Sequence, residues 1–294
     1  MTKTLRKIFA KYENVRAYTL LFPALILVIL AMASPLLLML VTSFHTQVSM
    51  MEIDSTFTLD RYIDFFSRPV YPTLLLRSIK ISFFVTLLTL VTTYPLAYFI
   101  AFYVKKNKML WIVLMTLPFW TSYLLRVFSW RVILGHKGVV NSALIFSGVI
   151  DEPLSFLMYS QTAVVLTLAH AWAAFAILPL YVSLDKIDKS LLEASYDLGC
   201  SKFQTFWRVT FPLSLPGVIG AILIIFIPTV GDYVTPQLVG GTDGRMLSNM
   251  IQSLFGRANN FPLGAASAVL MLMSVGIVAL IVTYITKKLS LRMS

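Results

Sequence analysis

Apolar residues in this chain run in long blocks, and polar residues collect between the blocks. A bilayer core takes about 20 mostly apolar residues per helix. Six segments meet that length: 19–44, 79–104, 109–130, 161–184, 211–231 and 263–286. The first follows a basic stretch, and Ala31-Met32-Ala33 resembles a cleavage site. Its apolar run nevertheless continues to Phe44, longer than a signal core, so it is read as a retained span. The pattern predicts an all-α bundle of six transmembrane helices.

One polar segment has a helical rather than a loop pattern. Between Asp185 and Arg208, the residues Leu191, Leu192, Ser195 and Leu198 recur at spacings of three and four. Gly199 suits the left-handed backbone of a helix end. Ser201 can cap a second helix with Phe203, Phe206 and Trp207 on one face. Pro212 then permits a sharp entrance into the fifth span. The expectation is a helix–Gly–helix elbow over 185–210, outside the membrane. The loops 45–78, 131–160 and 232–262 are the other long connections, and the last contains the turn-rich Gly240-Gly241-Thr242-Asp243-Gly244.

Charge sets the orientation. Lys3, Arg6, Lys7, Lys11 and Arg16 precede the first span. Lys105, Lys106 and Lys108 follow the second, Lys186, Lys189, Lys202 and Arg208 lie in the elbow, and Lys287, Lys288 and Arg292 end the chain. The alternate loops hold only Arg61, Arg68, Arg77, Arg131, Lys137, Arg245 and Arg257. The richer set is cytoplasmic by the positive-inside rule, which puts both termini inside. The net charge of +11 is therefore an insertion signal and implies no nucleic acid partner. Composition agrees: 58% of residues are hydrophobic and 13% charged, against about a quarter charged in a soluble domain. Much of the surface is expected to face lipid. The single cysteine, Cys200, excludes an intrachain disulfide.

Candidate chemistry is sparse. The chain has no Gly-x-x-x-x-Gly-Lys-Ser/Thr segment, so any ATP and Mg²⁺ would be used by another subunit. His45, His136 and His170 lack metal-ligand spacing, and His170 is read as a packed or backbone-bonded side chain. No catalytic residue, metal site or cofactor of its own is expected. The six segments contain no carboxylate, which weighs against a secondary transporter driven by an ion gradient.

The elbow resembles the conserved loop of ABC-importer permeases, a pattern of Glu-Ala-Ala, three residues, Gly, nine residues, then Ile-x-Leu-Pro. Here it reads Glu193-Ala194-Ser195, three residues, Gly199, nine residues, Val209-Thr210-Phe211-Pro212. Ser, Val and Phe replace Ala, Ile and Leu, and the spacing is intact. Pro118-Phe119-Trp120-Thr121-Ser122, Gly138-Val139-Val140-Asn141, Ile187–Ala194 and Gly231-Asp232-Tyr233-Val234-Thr235-Pro236 resemble the spermidine/putrescine permeases of the PotB/PotH type.

The resemblance implies the type 1 ABC-importer permease fold, with the transmembrane core over 74–286. Residues 1–73 form a tail, the first span and an outer loop, and 287–294 a cytoplasmic tail. It implies a bacterial cytoplasmic (inner) membrane location and three protein partners: an ABC ATPase dimer, a second and different permease subunit, and an extracytoplasmic solute-binding protein. Glu193, Ala194, Ser195, Asp197 and Gly199 would couple to the ATPase. Small residues at Ala194, Ser195 and Gly199 let two backbones approach, while Glu193 and Asp197, one turn apart, offer charge pairing. The implied solute is a polyamine or another small amino-bearing molecule, opine-like or amino-acid-like.

Irregular helices mark transport paths, because unwound backbone is tolerated only against protein or water. The fifth span and its exit carry Pro216, Gly217, Gly220, Pro228, Gly231 and Pro236, and the third carries Pro118. Counting about 1.5 Å per residue from Met109 places Trp120 near the midplane and Asp232 near the outer surface. On a continuous third helix Phe119, Tyr123, Arg126 and Trp130 share a face, with Arg126 snorkelling outward. Asp232 can attract a cation, and Trp120, Tyr123 and Tyr233 can offer ring faces worth about 0.5–2 kcal/mol per cation contact. Loop capping at Asp232 and helix packing at Trp120 are equally weighted readings.

Overall fold

The computed structural model describes residues 13–49 and 52–293. The basic residues Lys3, Arg6, Lys7 and Lys11 lie outside the described residues. Helix α1, Glu13–Thr42, carries the first apolar block and is followed by a two-stranded antiparallel ribbon, β1 (Thr46–Gln47) and β2 (Ile53–Asp54). The helical pattern did not anticipate this ribbon, which pairs Thr46 with Asp54. A short amphipathic helix, α2 (Asp60–Ser67), leads into α3 (Val70–Phe102).

The third block is not one helix. Helix α4 (Lys108–Thr116) tightens into a 3₁₀ turn at Leu117–Trp120, and α5 (Tyr123–Leu134) and α6 (Val139–Phe146) follow. The halves meet at 84°. Pro118 supplies no N–H, and Thr121 and Ser122 are extended. The carbonyl of Pro118 is satisfied sideways, by Thr121 Oγ1 at 2.7 Å and Arg126 Nη1 at 2.9 Å.

Helices α7 (Gln161–Asp185), α8 (Lys189–Asp197), α9 (Lys202–Thr205) and α10 (Phe211–Gly231) come next, then α11 (Val234–Val239), α12 (Leu247–Gly256) and α13 (Phe261–Met293). Five helices are long and apolar enough to cross a membrane, or six if the bent pair is one span. Helix α13 continues through the expected C-terminal tail to Met293.

The core is a triad of α3, α7 and α10. Its apolar centre includes Ile81, Leu168, Ile177, Leu180 and Ile225. Helices α7 and α10 approach at Gly217, where a Cβ would lie 2.4 Å from the Pro179 carbonyl oxygen. Only a residue without a side chain fits there. Two polar contacts fix the crossings: Tyr94 and Ser214 hydroxyls lie 2.8 Å apart, and Thr89 Oγ1 donates to the Ala169 carbonyl at 3.4 Å. By contrast α1 packs along α13 and leaves its apolar window exposed, with no residue of that window buried.

Candidate functional site

The elbow is built by local rules. Asp188 caps α8, accepting from the Ser190 amide at 3.0 Å, and hydrogen bonds from Ser190, the backbone amide foremost, hold the Asp188 carboxyl below the usual carboxylate range. Gly199 ends α8 at φ +82°, in the left-handed region. The Gly199 amide donates to Tyr196 O at 2.8 Å and that of Cys200 to Ser195 O at 3.1 Å, a Schellman ending. Ser201 opens α9 with a reciprocal capping box: its Oγ accepts from the Gln204 amide, and Gln204 Oε1 accepts from the Ser201 amide at 2.9 Å.

Two features differ from expectation. Ser195 is buried, and its hydroxyl lies 2.9 Å from that of Thr205. The small residue there lets the elbow's own two helices approach and bond to each other, so Ser195 is not on the exposed face. The second departure is the entrance to the fifth span, which is continuous. Residues Phe206–Thr210 form a π turn, and helix runs unbroken over Lys202–Gly231. The wider turn lies where the Pro212 ring would press on the carbonyl four residues earlier, that of Arg208, and so absorbs the proline without a kink.

Glu193, Ala194, Asp197 and Gly199 are exposed. So are two large apolar side chains beside them, Leu198 at 85% and Phe203 at 72%. Phe206 turns inward against Tyr94 and Tyr98. Leu198 and Phe203 thus put apolar surface beside a capped bend. The three-four spacing contained Leu198 but did not say which way that side chain would face.

At the opposite end of α10 lies a polar junction. Tyr123, at the start of α5, donates to Asp232 Oδ2 at 2.6 Å, and its oxygen lies 2.6 Å from the Thr235 hydroxyl. Asp232 Oδ1 accepts from the Val234 amide at 2.9 Å, capping the turn between α10 and α11. Ser248 donates to the Asp232 carbonyl and Asn249 to that of Tyr233, each at 2.7 Å. Asp232 is thus half-buried and holds the turn between α10 and α11.

The side chains of Trp120 and Tyr233 do not join this network. The break at Pro118 removes the continuous rise that would place Trp120 at the midplane, and its ring is 85% exposed. Tyr233 is also exposed. Arg126 turns back onto the Pro118 carbonyl instead of snorkelling outward, with its guanidinium 5.7 Å from the Phe119 ring centre and 6.0 Å from that of Tyr123. Phe119, Tyr123 and Arg126 still cluster across the break. With Trp172 and Phe175 of α7 they line a cavity of about 230 Å³. Trp130 leaves this group and donates through its indole N–H to His170 Nδ1 at 3.2 Å; His170 is thus held by a side chain but is exposed, not packed as expected.

Comparison with known proteins accords with this architecture. Residues 8–293 match the family described as binding-protein-dependent transport system inner membrane component. The chain is 35% identical over 272 residues to the spermidine/putrescine transport system permease protein PotB of Salmonella typhimurium (strain SL1344), covering 92% of this chain and 93% of that one. It is 36% identical over 247 residues to PotB of Escherichia coli (strain K12), covering 84% and 89%. A solved chain of a bacterial ABC transporter that imports the acidic polysaccharide alginate superposes with a TM-score of 0.68 at 17% identity, over 97% of this chain and 99% of that one. The fold is therefore that of an ABC-importer permease, and the chain belongs to the binding-protein-dependent transport system inner membrane component family.

Proposed function

We propose that this permease carries a polyamine across the membrane as part of an ATP-driven importer. A cytoplasmic ATPase dimer binds the ATP and Mg²⁺ and docks on the elbow. A second, different permease subunit faces the open side of α4 and α5, and an extracytoplasmic binding protein delivers the solute. The elbow end lies in the cytoplasm, as the lysine and arginine distribution requires.

The observation that carries this reading is Asp232. A half-buried carboxylate at the mouth of a proline-broken helix pair attracts a cation, and the hydroxyl of Tyr123 keeps the carboxylate aimed. Exposed Trp120 and Tyr233 add ring faces for successive ammonium groups, each weak enough to release what it holds. The test is uptake of labelled spermidine and putrescine by proteoliposomes holding the complete transporter. Energised uptake that unlabelled polyamine suppresses is expected. Uptake of neither solute, with the ATPase active, overturns the reading.

One observation favours a second reading, a solute bearing both an amine and a carboxylate. Arg126 Nε and Trp172 Nε1 are buried donors that lack an acceptor among the described residues, and both residues line the cavity beside Tyr123. Competition by 4-aminobutyrate but not by putrescine would select this reading.

A further inference from the structure

At the Asp232 end of the bundle, sharing Asn249 with the polar junction, a second concavity of about 320 Å³ opens between α11, α12 and the loop ahead of α7. Its wall carries Arg245, Arg257, Gln237 and Gln252, and no carboxylate lines it. Two more guanidiniums brace the rim: Arg77 donates to the Thr242 carbonyl at 3.1 Å, and Arg131 to the Tyr159 hydroxyl at 3.5 Å. Among the described residues the salt bridges are Arg61–Asp64 and Lys108–Asp185, so neither Arg245 nor Arg257 has an acidic partner.

The cup is rigid. Gly241 has φ +58°, and a Cβ there would lie 2.6 Å from the Tyr159 carbonyl oxygen; one on Gly244 would lie 2.4 Å from Gly240 Cα. The loop closes only because these positions lack side chains. Arginine forks and carboxamides in a fixed cup match carboxylates, which accept two parallel N–H bonds. A cationic solute gains nothing from four guanidiniums, so the solute is not the ligand.

We propose that this cup receives acidic side chains from the rim of the solute-binding protein and so fixes its register above the permease. The inference rests on the importer reading above, and names the chemistry of one of its contacts. A related alginate transporter has been solved in complex with a periplasmic protein carrying an alginate pentasaccharide, so docking of such a partner is compatible with this fold. Charged contacts of this kind act mainly on association rate and on salt dependence.

The experiment uses the complete transporter in phosphatidylcholine vesicles, titrated with its solute-loaded binding protein, with ATPase rate as the readout. For Arg245→Gln/Arg257→Gln, the half-saturating concentration is expected to rise at least tenfold and its salt dependence to flatten, with the rate at saturation unchanged. Lysine at both positions is expected to give a smaller rise, because charge remains and the fork is lost. If the glutamine pair fails to assemble, Arg257→Gln alone carries the test, since that side chain is exposed and makes no hydrogen bond among the described residues. Unchanged half-saturation and salt dependence would overturn the proposal while leaving the importer reading intact. A wild-type complex that the binding protein never stimulates would overturn both. If anionic phosphatidylglycerol abolished the difference between wild type and variant, the cup would belong to lipid headgroups and the proposal would fail.

Discussion

Gly199 and Asp232 have opposite kinds of constraint. A Cβ at Gly199 would meet no atom within 4 Å, so the only obstacle to substitution is the backbone, at φ +82°. Alanine there is expected to cost about 1 kcal/mol of local stability, and asparagine less, because asparagine tolerates the left-handed region. Uptake per ATP hydrolysed should fall in the order glycine, asparagine, alanine, with solute affinity of the binding protein unchanged; equal coupling in all three would remove the elbow from the coupling path. Asp232 is constrained by partners instead. Asp232→Asn can keep its Oδ1 on the Val234 amide and turn its NH2 to donate to the Tyr123 hydroxyl, so assembly is expected to survive while polyamine uptake drops several-fold. Tyr123→Phe leaves Thr235 and Asp232 each short of a partner inside a packed junction. About 1–3 kcal/mol of destabilisation is expected from such an orphaned pair, measured as a lower melting temperature of the purified complex. If Asp232→Asn transports as wild type, the carboxylate is a loop cap and no part of the path.

Between elements, close approach dominates. Helices α7 and α10 cross at Gly217 with backbone against backbone, and the Ser183 hydroxyl accepts from the Gly217 amide at 3.3 Å. Gly217→Val cannot be absorbed by a flexible side chain, because the carbonyl of Pro179 is in the way. Loss of folded protein in membranes is expected, whereas Gly276→Ala, with nothing within 4 Å, should fold normally. In the elbow, Ser195 and Thr205 form a buried hydroxyl pair. A double-mutant cycle with Ser195→Ala and Thr205→Val should return a coupling near 1 kcal/mol. A value near zero would mean that the capping box and Schellman ending hold the elbow unaided.

At the scale of the molecule, the unsatisfied surface is informative. Helix α1 has no buried residue in its apolar window, and one elbow gives one docking point. A lone chain would leave an ATPase dimer half engaged. Mass measurement of the gently extracted complex is expected to give two different permeases, two ATPase subunits and, after solute-loaded binding protein is added, one copy of it. Transport by a chain reconstituted alone would defeat this assembly.

The family was legible in short stretches of sequence. Spans, caps, the glycine bend and the elbow spacing depend on residues within about two dozen positions of one another, and there local periodicity and hydrogen-bond accounting are decisive. Even the break at Pro118 carried its signal, although not its 84° angle. The rest depended on packing. Tyr123 and Asp232 are 109 residues apart and meet because α5 and α11 share one end of the bundle. Ser195 turns inward because Thr205 of the second elbow helix offers a hydroxyl there. The basic cup exists because Gly241 lets its loop press against Tyr159, 82 residues earlier in the chain. Sequence alone determined the long apolar helices and the caps of the elbow, because those forces act within a few turns; the break angle in the third block, the ribbon and the short helices of the 232–262 connection were not read from it. Which side chains face each other, and hence where charge collects, was decided by tertiary structure, because the rotation of each helix about its axis is fixed only by its neighbours.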